Sequence, residues 1–292
     1  MYARNNPLIY VDPDGEFVIG FISGFVRGLV QGKNPFKTGW QTGVNEMKIY
    51  AGLFASDKDK NFFGRAWETL SRFTWQLPQT VLGVGYATVS NWAWQVDRVQ
   101  FYGGATVSSG NHWGQGGAVA LGSFITGGQS LRADPNNVLF QHEYGHYRQS
   151  QRWGPIYLFG VGLPSIWSAN KARNDPSHIH NNFWAEQNAN KRGFEYFYRK
   201  YRDDLIWNNN SNRILDTDWV DAVRERYRQN TPSIPSGNGS FYNPIRTSPA
   251  APNYFNGSFF HQGIGIDDDD DWRYRRGGNR TSNDRLRILL SL

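Results

Sequence analysis

The 292-residue chain contains no cysteine, which excludes disulfide bonds and thiolate metal ligands. Histidine is scarce at six copies, so two histidines standing close together form an informative pattern. The apolar run at residues 17–32 is shorter than the roughly 20 residues that a transmembrane helix requires, which argues against a membrane span. The start of the chain has no signal peptide of the usual form.

Aromatic residues and positive charge are the features that the composition has in excess. Phe, Trp and Tyr together make up 16% of the chain, which suits a packed globule or a binding face. The net charge of +6 is compatible with an anionic partner, such as a nucleic acid, a membrane or cell-wall surface, or an acidic inhibitor protein. A modest positive bias without any such partner is the simpler interpretation.

The order of helical and strand signals predicts an α+β fold, mostly helical with a small antiparallel β-sheet beside one central helix. We divide the chain into a junction at residues 1–17, a helical segment at 18–92, a central region at 93–228 and a tail at 229–292. The tail is rich in Asn, Ser, Pro and Gly, and its run Asp267–Asp271 is typical of a solvated acidic block.

The pentapeptide HEYGH, from His142 to His146, is the most informative motif in the chain. Helix signals surround it, because Asp134 is a suitable N-cap and Gly154 with the following proline ends the run. Residues four apart share one face of a helix, so the two imidazoles can occupy two corners of a zinc tetrahedron. Glu143 then lies beside the metal without ligating it, where it can act as a general base.

A catalytic zinc needs a third protein ligand. The variant with a third histidine six residues further on is excluded, because Gln149 and Arg152 occupy the required positions. Residues 181–201 predict a later helix capped by Asn182, and Glu186 lies on its small-residue face with Ala189 and Gly193. These observations predict Glu186 as the third ligand. His178 and His180 are the alternative ligands if that segment is extended.

HExxH followed some tens of residues later by a helical glutamate resembles the gluzincin branch of zinc metallopeptidases. The resemblance implies a zincin-like domain with Zn²⁺ bound by His142, His146 and Glu186, and with Glu143 as the general base. The family's acidic residue four positions after the third ligand is Asn190 here. An amide still orients a zinc-bound imidazole but contributes no negative charge.

Two β-rich stretches, Val96–Val107 and Ala118–Thr126, precede the HEYGH helix. The zincin resemblance implies that a strand beside the cleft pairs with an extended substrate backbone. We expect the second stretch to supply that strand, with Ala118, Leu121 and Phe124 as the candidates for substrate contact. His112, in the loop between the stretches, is expected at the surface.

Apolar periodicity elsewhere makes two packing predictions. Gly20, Gly24, Gly28 and Gly32 recur at every fourth position, which predicts a helix packed closely against another helix, with membrane contact through residues 17–32 as an alternative. Helical spacing predicts buried positions at Trp67, Leu70, Phe73 and Leu77.

Two later segments also carry packing predictions. The apolar stretch 155–169 is expected to be a buried connector or the lining of an apolar subsite. In a last helix, Trp219, Val223 and Tyr227 are expected to face inward.

The segment NNPLIYVDPDG resembles the end of the core region of Rhs-repeat proteins, with the DPxG box at Asp12–Gly15. Those proteins carry variable toxin domains after this box. The resemblance implies a polymorphic toxin of bacteria that a specialised secretion system delivers into a target cell. It also implies three partners: the Rhs shell, the secretion machinery and a cognate immunity protein.

Taken together, these patterns predict a zinc metallopeptidase that acts as a toxin on a protein or peptide substrate. One alternative is hydrolysis of the amide bonds of peptidoglycan. Another is a zincin-shaped module without catalysis that perturbs membranes or binds a target. Nucleic acid is disfavoured as a substrate, since no run of basic residues accompanies the metal motif in the sequence.

Overall fold

A computed structural model describes residues 16–110, 117–207 and 215–229 of the chain. Its helices are α1 (Glu16–Val30), α2 (Pro35–Ala51), α3 (Phe62–Arg72), α4 (Leu77–Trp92), α5 (Val138–Trp153), α6 (Leu163–Asn174), α7 (Trp184–Tyr201) and α8 (Thr217–Gln229). Its strands are β1 (Arg98–Tyr102), β2 (Ala105–Gly110), β3 (Ala118–Leu121) and β4 (Phe124–Gly128). A π-helical turn, Leu158–Gly162, precedes α6. The fold class is therefore α+β, as predicted.

The four strands form one sheet in the order β1-β2-β4-β3. The β1–β2 and β3–β4 pairs are antiparallel, with Arg98 opposite Ser109 and Ala118 opposite Gly127. The central β2–β4 pair is parallel, with Thr106 opposite Phe124. The prediction of an antiparallel sheet was therefore wrong for the centre of the sheet. Each predicted β-stretch is a hairpin, and the two hairpins join through strands that run in the same direction.

Helices cover both faces of this sheet, which explains why β2 and β4 are buried at every position. On one face Ile49 of α2 and Ala87 of α4 pack with Val99 and Phe124. On the other face the aromatic side chains of α5 and α7 pack against Val107 and Ile125. The helical segment 18–92 and the central region thus share the sheet between their cores.

The glycine-stripe prediction for α1 is confirmed at three of its four positions. A Cβ atom at Gly24 would lie 2.4 Å from the carbonyl oxygen of Thr38, and one at Gly28 would lie 2.4 Å from Cα of Pro35. Gly20 is equally close to Glu46, so glycine allows α1 to lie directly against α2. Gly32 follows the helix, and a Cβ atom there would meet nothing within 4 Å. None of the helices within the described ranges is long and apolar enough to cross a membrane.

Helix α3 buries its polar face and exposes its apolar face, which is the reverse of the prediction. The residues Trp67, Leu70, Phe73 and Leu77 are all exposed rather than buried. The buried face carries Glu68 and Arg72 instead. Arg72 donates to the carbonyl oxygens of Leu53, Ala55 and Gly104, and Glu68 accepts from the hydroxyl of Tyr147 at 2.5 Å. These hydrogen bonds are what allow the two charged groups to occupy the interior.

Two helix starts differ from the prediction. Helix α5 is capped by Asn137, whose side chain accepts from the backbone N–H of Phe140, and Asp134 lies in the preceding turn. Helix α7 follows Phe183 and has no side-chain cap, so Asn182 does not cap it. Both differences are of a few residues and leave the metal-motif positions on the predicted helical faces.

The stretch 155–169 is not a buried connector. Val161 and Tyr157 are buried, whereas Phe159, Leu163 and Trp167 are exposed. In α8 the inward orientation is confirmed, since Val223 is buried and Trp219 and Tyr227 pack against the same cluster. Three predicted features lie outside the described residues: the DPxG box, His112 and the acidic run of the tail.

Candidate metal centre

Three side chains converge between α5 and α7. His142 and His146 lie one turn apart on α5, and their Nε2 atoms are 3.0 and 3.1 Å from the same oxygen, Oε2 of Glu186 on α7. The three donor atoms all lie within 4.8 Å of one another. The group could therefore hold a metal ion, which was expected for these three residues.

The donor set fits zinc in its chemistry. Two imidazole nitrogens and one carboxylate oxygen are the protein ligands of many catalytic zinc sites. Bonds of about 2.0–2.1 Å in a tetrahedron separate neighbouring donors by about 3.4 Å. The distances from Glu186 Oε2 to the two imidazole nitrogens are slightly shorter than this value, whereas the full donor set spreads over up to 4.8 Å. The carboxylate would therefore move outward and the two imidazoles closer together around an ion.

Each imidazole is oriented by an amide oxygen on its far side. The Nδ1 atom of His142 donates to Oδ1 of Asn190 at 2.7 Å, and the Nδ1 atom of His146 donates to Oε1 of Gln149 at 2.7 Å. Gln149 is itself fixed, because its Nε2 atom donates to the carbonyl oxygen of Ala185 at 2.8 Å. In the neutral form of each ring, with the proton kept on Nδ1 by this hydrogen bond, the Nε2 lone pair would point to the shared centre and be free to bind a metal ion.

Small residues bring the two helices into contact at this centre. A Cβ atom on Gly145 would lie 2.0 Å from the backbone oxygen of Ala189, and one on Gly193 would lie 2.4 Å from the backbone oxygen of Gln141. The carboxylate of Glu186 can reach both histidines only because α5 and α7 are this close. The structure thus agrees with the role expected of the small-residue face of α7.

The charge of the centre is concentrated on Glu186, which is 2% exposed. Burial tends to raise the pKa of this carboxyl, but hydrogen bonds and positive charge from His142 and His146 outweigh it and hold the pKa well below its usual range. Burial acts in the opposite direction on His146 and lowers its pKa, but the hydrogen bond and the charge of Glu186 outweigh this effect and raise the pKa to about 9. The hydroxyl of Ser165 also donates to Oε1 of Glu186, at 2.5 Å.

Glu143 lies one residue beyond the first ligand and is 6% exposed. Its carboxylate has no hydrogen-bond partner among residues 16–110, 117–207 and 215–229. Its charge reaches the neighbouring rings: it favours the protonated form of His146, and after burial it is the largest cause of the raised pKa of Tyr157. A buried carboxylate without a partner is available for proton transfer.

The alternative ligands His178 and His180 lie beside the centre rather than in it. Both rings contact the hydroxyl of Ser168, at 2.8 Å from His178 and 3.0 Å from His180. The Nε2 atom of His180 is 3.8 Å from Oε1 of Glu186, and the ligand group found in the described part of the chain does not include it. Of the three candidates for the third ligand, Glu186 is the one that belongs to the group that could hold a metal ion.

The candidate substrate strand is only partly where it was expected. Ala118 and Leu121 lie on β3, the edge strand next to α5. Phe124 lies on β4, in the interior of the sheet, and is 1% exposed in the core with Ile49, so its assignment to substrate contact was wrong. The carbonyl oxygen of Ala120 on the edge strand accepts from the hydroxyl of Tyr157 at 3.2 Å.

Four residues around the centre had no role assigned from the sequence: Gln149, Ser165, Ser168 and Tyr157. Gln149 had a usable signal, because it is three residues after His146 on the same helix and so shares its face. Ser165 and Tyr157 had none, since the segment that carries them meets Glu186 and β3 only in the folded chain.

Comparison with protein-family models, curated proteins and solved structures finds no match to the chain.

Proposed function

We propose that the chain is a zinc-dependent metallopeptidase with a zincin-like catalytic region that hydrolyses amide bonds. One observation carries this proposal: two histidines and a glutamate converge at one point, and a buried carboxylate without a partner stands on the same helix. A purely structural cluster has no need of Glu143, whereas a hydrolase needs a base beside its metal.

The roles of the residues follow from their contacts. His142, His146 and Glu186 would hold the ion, and Asn190 and Gln149 hold the imidazoles in the tautomer that leaves Nε2 free. When bound, zinc supplies a Lewis acid that acidifies water and polarises a carbonyl group. Glu143 accepts a proton on its carboxylate and then delivers it to the nitrogen of the leaving amine.

An extended peptide beside β3 is the substrate geometry that we favour. Ala118 and Leu121 line the edge strand that packs against α5, and pairing with a strand edge is a common mode of peptide binding. The hydroxyl of Tyr157 already occupies the carbonyl oxygen of Ala120. A substrate that pairs along the whole strand would therefore have to displace this hydroxyl, so Tyr157 competes with the substrate for the carbonyl oxygen of Ala120.

The biological setting that we propose is that of a toxin delivered by an Rhs-type protein. Its support is the NNPLIYVDPDG segment ahead of α1. In this setting a secretion system transfers the protein from the producing cell to a target cell. A cognate immunity protein protects the producer, and the target is a protein or peptide of the recipient cell.

Glu143→Gln is the experiment that separates catalysis from metal binding. The amide keeps the size of the side chain but cannot accept a proton as a carboxylate does. We expect elemental analysis to find about one zinc per chain in both proteins, as in other sites with three protein ligands. Hydrolysis of an unstructured protein and toxicity to cells should both be lost in the variant.

Glu225→Gln, which removes an exposed carboxylate on α8, is the matched control and should retain activity. His142→Ala should lose the metal. Purified protein that lacks zinc, or Glu143→Gln that remains fully active, would contradict the proposal. A muropeptide digest tests peptidoglycan as the substrate in the same series.

A second candidate function rests on the outer surface of α1. Opposite its glycine face, the helix exposes a continuous apolar row: Val18, Ile19, Ile22, Val26, Leu29 and Val30. Exposed apolar patches of this kind mark contacts with membranes or with other proteins. Toxicity that survives Glu143→Gln but is lost with Ile22→Ser and Leu29→Ser would support a membrane-perturbing or binding module instead.

A further inference from the structure

A groove separate from the candidate metal centre lies between α5 and α7. Arginine is the most frequent residue of its lining. Arg148 and Arg152 come from α5, and Arg192 and Arg199 come from α7. The rest of the wall is formed by Gln151, Glu195, Tyr196 and Tyr227, and the groove encloses about 390 Å³. The sequence contains no basic run here, because the four residues come from two helices that are about 40 residues apart in the chain.

The arginine groove is on the opposite side of the helix pair from the metal centre. A helix advances by about 100° per residue, so Arg148 is turned by about 200° from His146. Arg192 is turned by about the same angle from Asn190. The two sites thus lie on different faces of the same helices, and within the described ranges none of the four arginines is hydrogen-bonded to His142, His146 or Glu186.

The positive charge of the groove is only partly offset, by the one carboxylate of its lining, that of Glu195. None of the four arginines forms a salt bridge within the described ranges. The single acid of the lining, Glu195, is paired with Arg226 at 3.3 Å. Burial, followed by the charges of Arg152 and Arg148, lowers the pKa of Arg192, which reflects this crowding of like charges.

The protein holds these guanidinium groups in place with neutral contacts. Arg148 and Arg199 lie over the same ring, that of Tyr196, at 5.7 and 5.8 Å from its centroid. That ring is fixed, because its hydroxyl donates to Asp57 at 2.9 Å. The Nε atom of Arg192 donates to Oδ1 of Asn188 at 2.8 Å. Like charges that neutral groups hold close together are preorganised for an anion.

We propose that this groove binds a small ligand that carries two or more phosphate groups. Guanidinium groups form paired hydrogen bonds with phosphate oxygens, and a single carboxylate or phosphate would leave several of the four charges unmatched. The volume lies within the range of roughly 300–1,000 Å³ that small-molecule sites occupy. A ligand of nucleotide size satisfies both conditions.

Isothermal titration of the full-length protein with inorganic triphosphate tests the proposal. We expect saturable binding at one site, at least tenfold tighter than the binding of orthophosphate. Arg152→Gln and Arg192→Gln should each weaken binding about tenfold. Arg173→Gln, which removes an exposed charge on α6, is the matched control and should change nothing. Absence of saturable binding, equal affinity for orthophosphate, or equal weakening by the control would overturn the proposal.

A variant with asparagine at all five positions of Asp267–Asp271 tests whether an external ligand or the chain's own aspartates are the anion that the groove binds. Unchanged triphosphate affinity supports an external ligand. Binding that is detected only in this variant assigns the groove to the chain's own aspartates and overturns the proposal. His142→Ala should bind triphosphate normally, so failure of the proposed hydrolase and failure of the anion site can be told apart.

Discussion

Oδ1 of Asn190 lies 2.7 Å from Nδ1 of His142, one helix turn along α7 from Glu186, the third candidate metal ligand. An amide thus occupies the position at which the gluzincin pattern has a carboxylate. It orients the imidazole but adds no negative charge beside it. If the centre binds a metal ion, we expect the affinity to depend on hydrogen-bond geometry more than on added negative charge.

Substitution of Asn190 tests this dependence. Asn190→Ala removes the acceptor of the His142 N–H, and we expect zinc affinity to fall by about 10–100-fold, the usual cost of losing such a partner. Asn190→Asp should bind zinc at least as tightly as the unmodified protein. Competition with a chromogenic chelator measures both affinities. Asn174→Ala, on exposed α6, is the control, and undiminished affinity in Asn190→Ala would contradict the assigned role.

Gly145→Ala tests the close approach of α5 and α7. The new methyl group would lie 2.0 Å from the backbone oxygen of Ala189, so the helices must separate. We expect a loss of about 1–3 kcal/mol in the free energy of unfolding, as for other overpacked sites, together with weaker zinc binding. Gly85→Ala on α4, where nothing lies within 4 Å, should instead stabilise by up to about 1 kcal/mol through helix propensity. Urea denaturation compares the two variants, and similar effects of both would refute the interpretation.

Arg72 and Trp67 on α3 test the packing that periodicity predicted incorrectly. Arg72 is completely buried and donates to three backbone carbonyl groups, whereas Trp67 is 60% exposed. Arg72→Ala should cost about 3–5 kcal/mol of stability, because it leaves buried polar partners unsatisfied. Trp67→Ala should cost less than about 1 kcal/mol. The reverse order in a denaturation experiment would mean that the apolar face of α3 is the buried one.

The pKa of His146 makes a prediction for the metal-free protein. Its folded-state pKa of about 9 is above the ordinary value of 6.5, so the ion pair with Glu186 stabilises the fold fully below pH 6.5. This stabilisation should be lost as pH rises from about 6.5 to about 9. The melting temperature of chelator-treated protein across this range measures the effect. His146→Ala should abolish the dependence, and an unchanged slope in that variant would assign it to other groups.

Bound zinc should reverse this behaviour. The ion must displace the proton that His146 carries at neutral pH, so zinc affinity should rise with pH over the same range. Titrations in two buffers of different ionisation enthalpy count the released protons. Zinc binding without proton release at pH 7 would show that His146 is already neutral in the metal-free state.

Much of the metal centre could be predicted because its geometry is local. The i, i+4 spacing of His142 and His146 needs only a helix, and so does the spacing of Glu186 and Asn190. The small residues Ala189 and Gly193 indicated which face of the later helix would be buried. Only the choice between Glu186 and the histidines of the preceding loop required the folded structure, since it depends on which loop atoms reach the gap between the helices.

Apart from the two helix caps and Gln149, which are local, the features that were wrong or missed depend on contacts between distant segments. The strand direction at the centre of the sheet depends on how two hairpins meet, and each hairpin alone is compatible with either arrangement. Burial of the polar face of α3 depends on carbonyl groups from other segments that accept from Arg72. Periodicity records which residues are apolar, but not which polar residues will find partners.

The amino-acid sequence by itself determined the two helices that carry His142, His146 and Glu186, together with the stripe of glycines on α1, because these follow from short-range spacing. Only the tertiary structure decided that Glu186 rather than a loop histidine joins the pair, that Ser165 contacts Glu186, that Phe124 is removed from any substrate, and that four arginines meet on the far side of α5 and α7. Each of these depends on the distance between segments that are far apart in the chain, and that distance is set by the packing of the whole core.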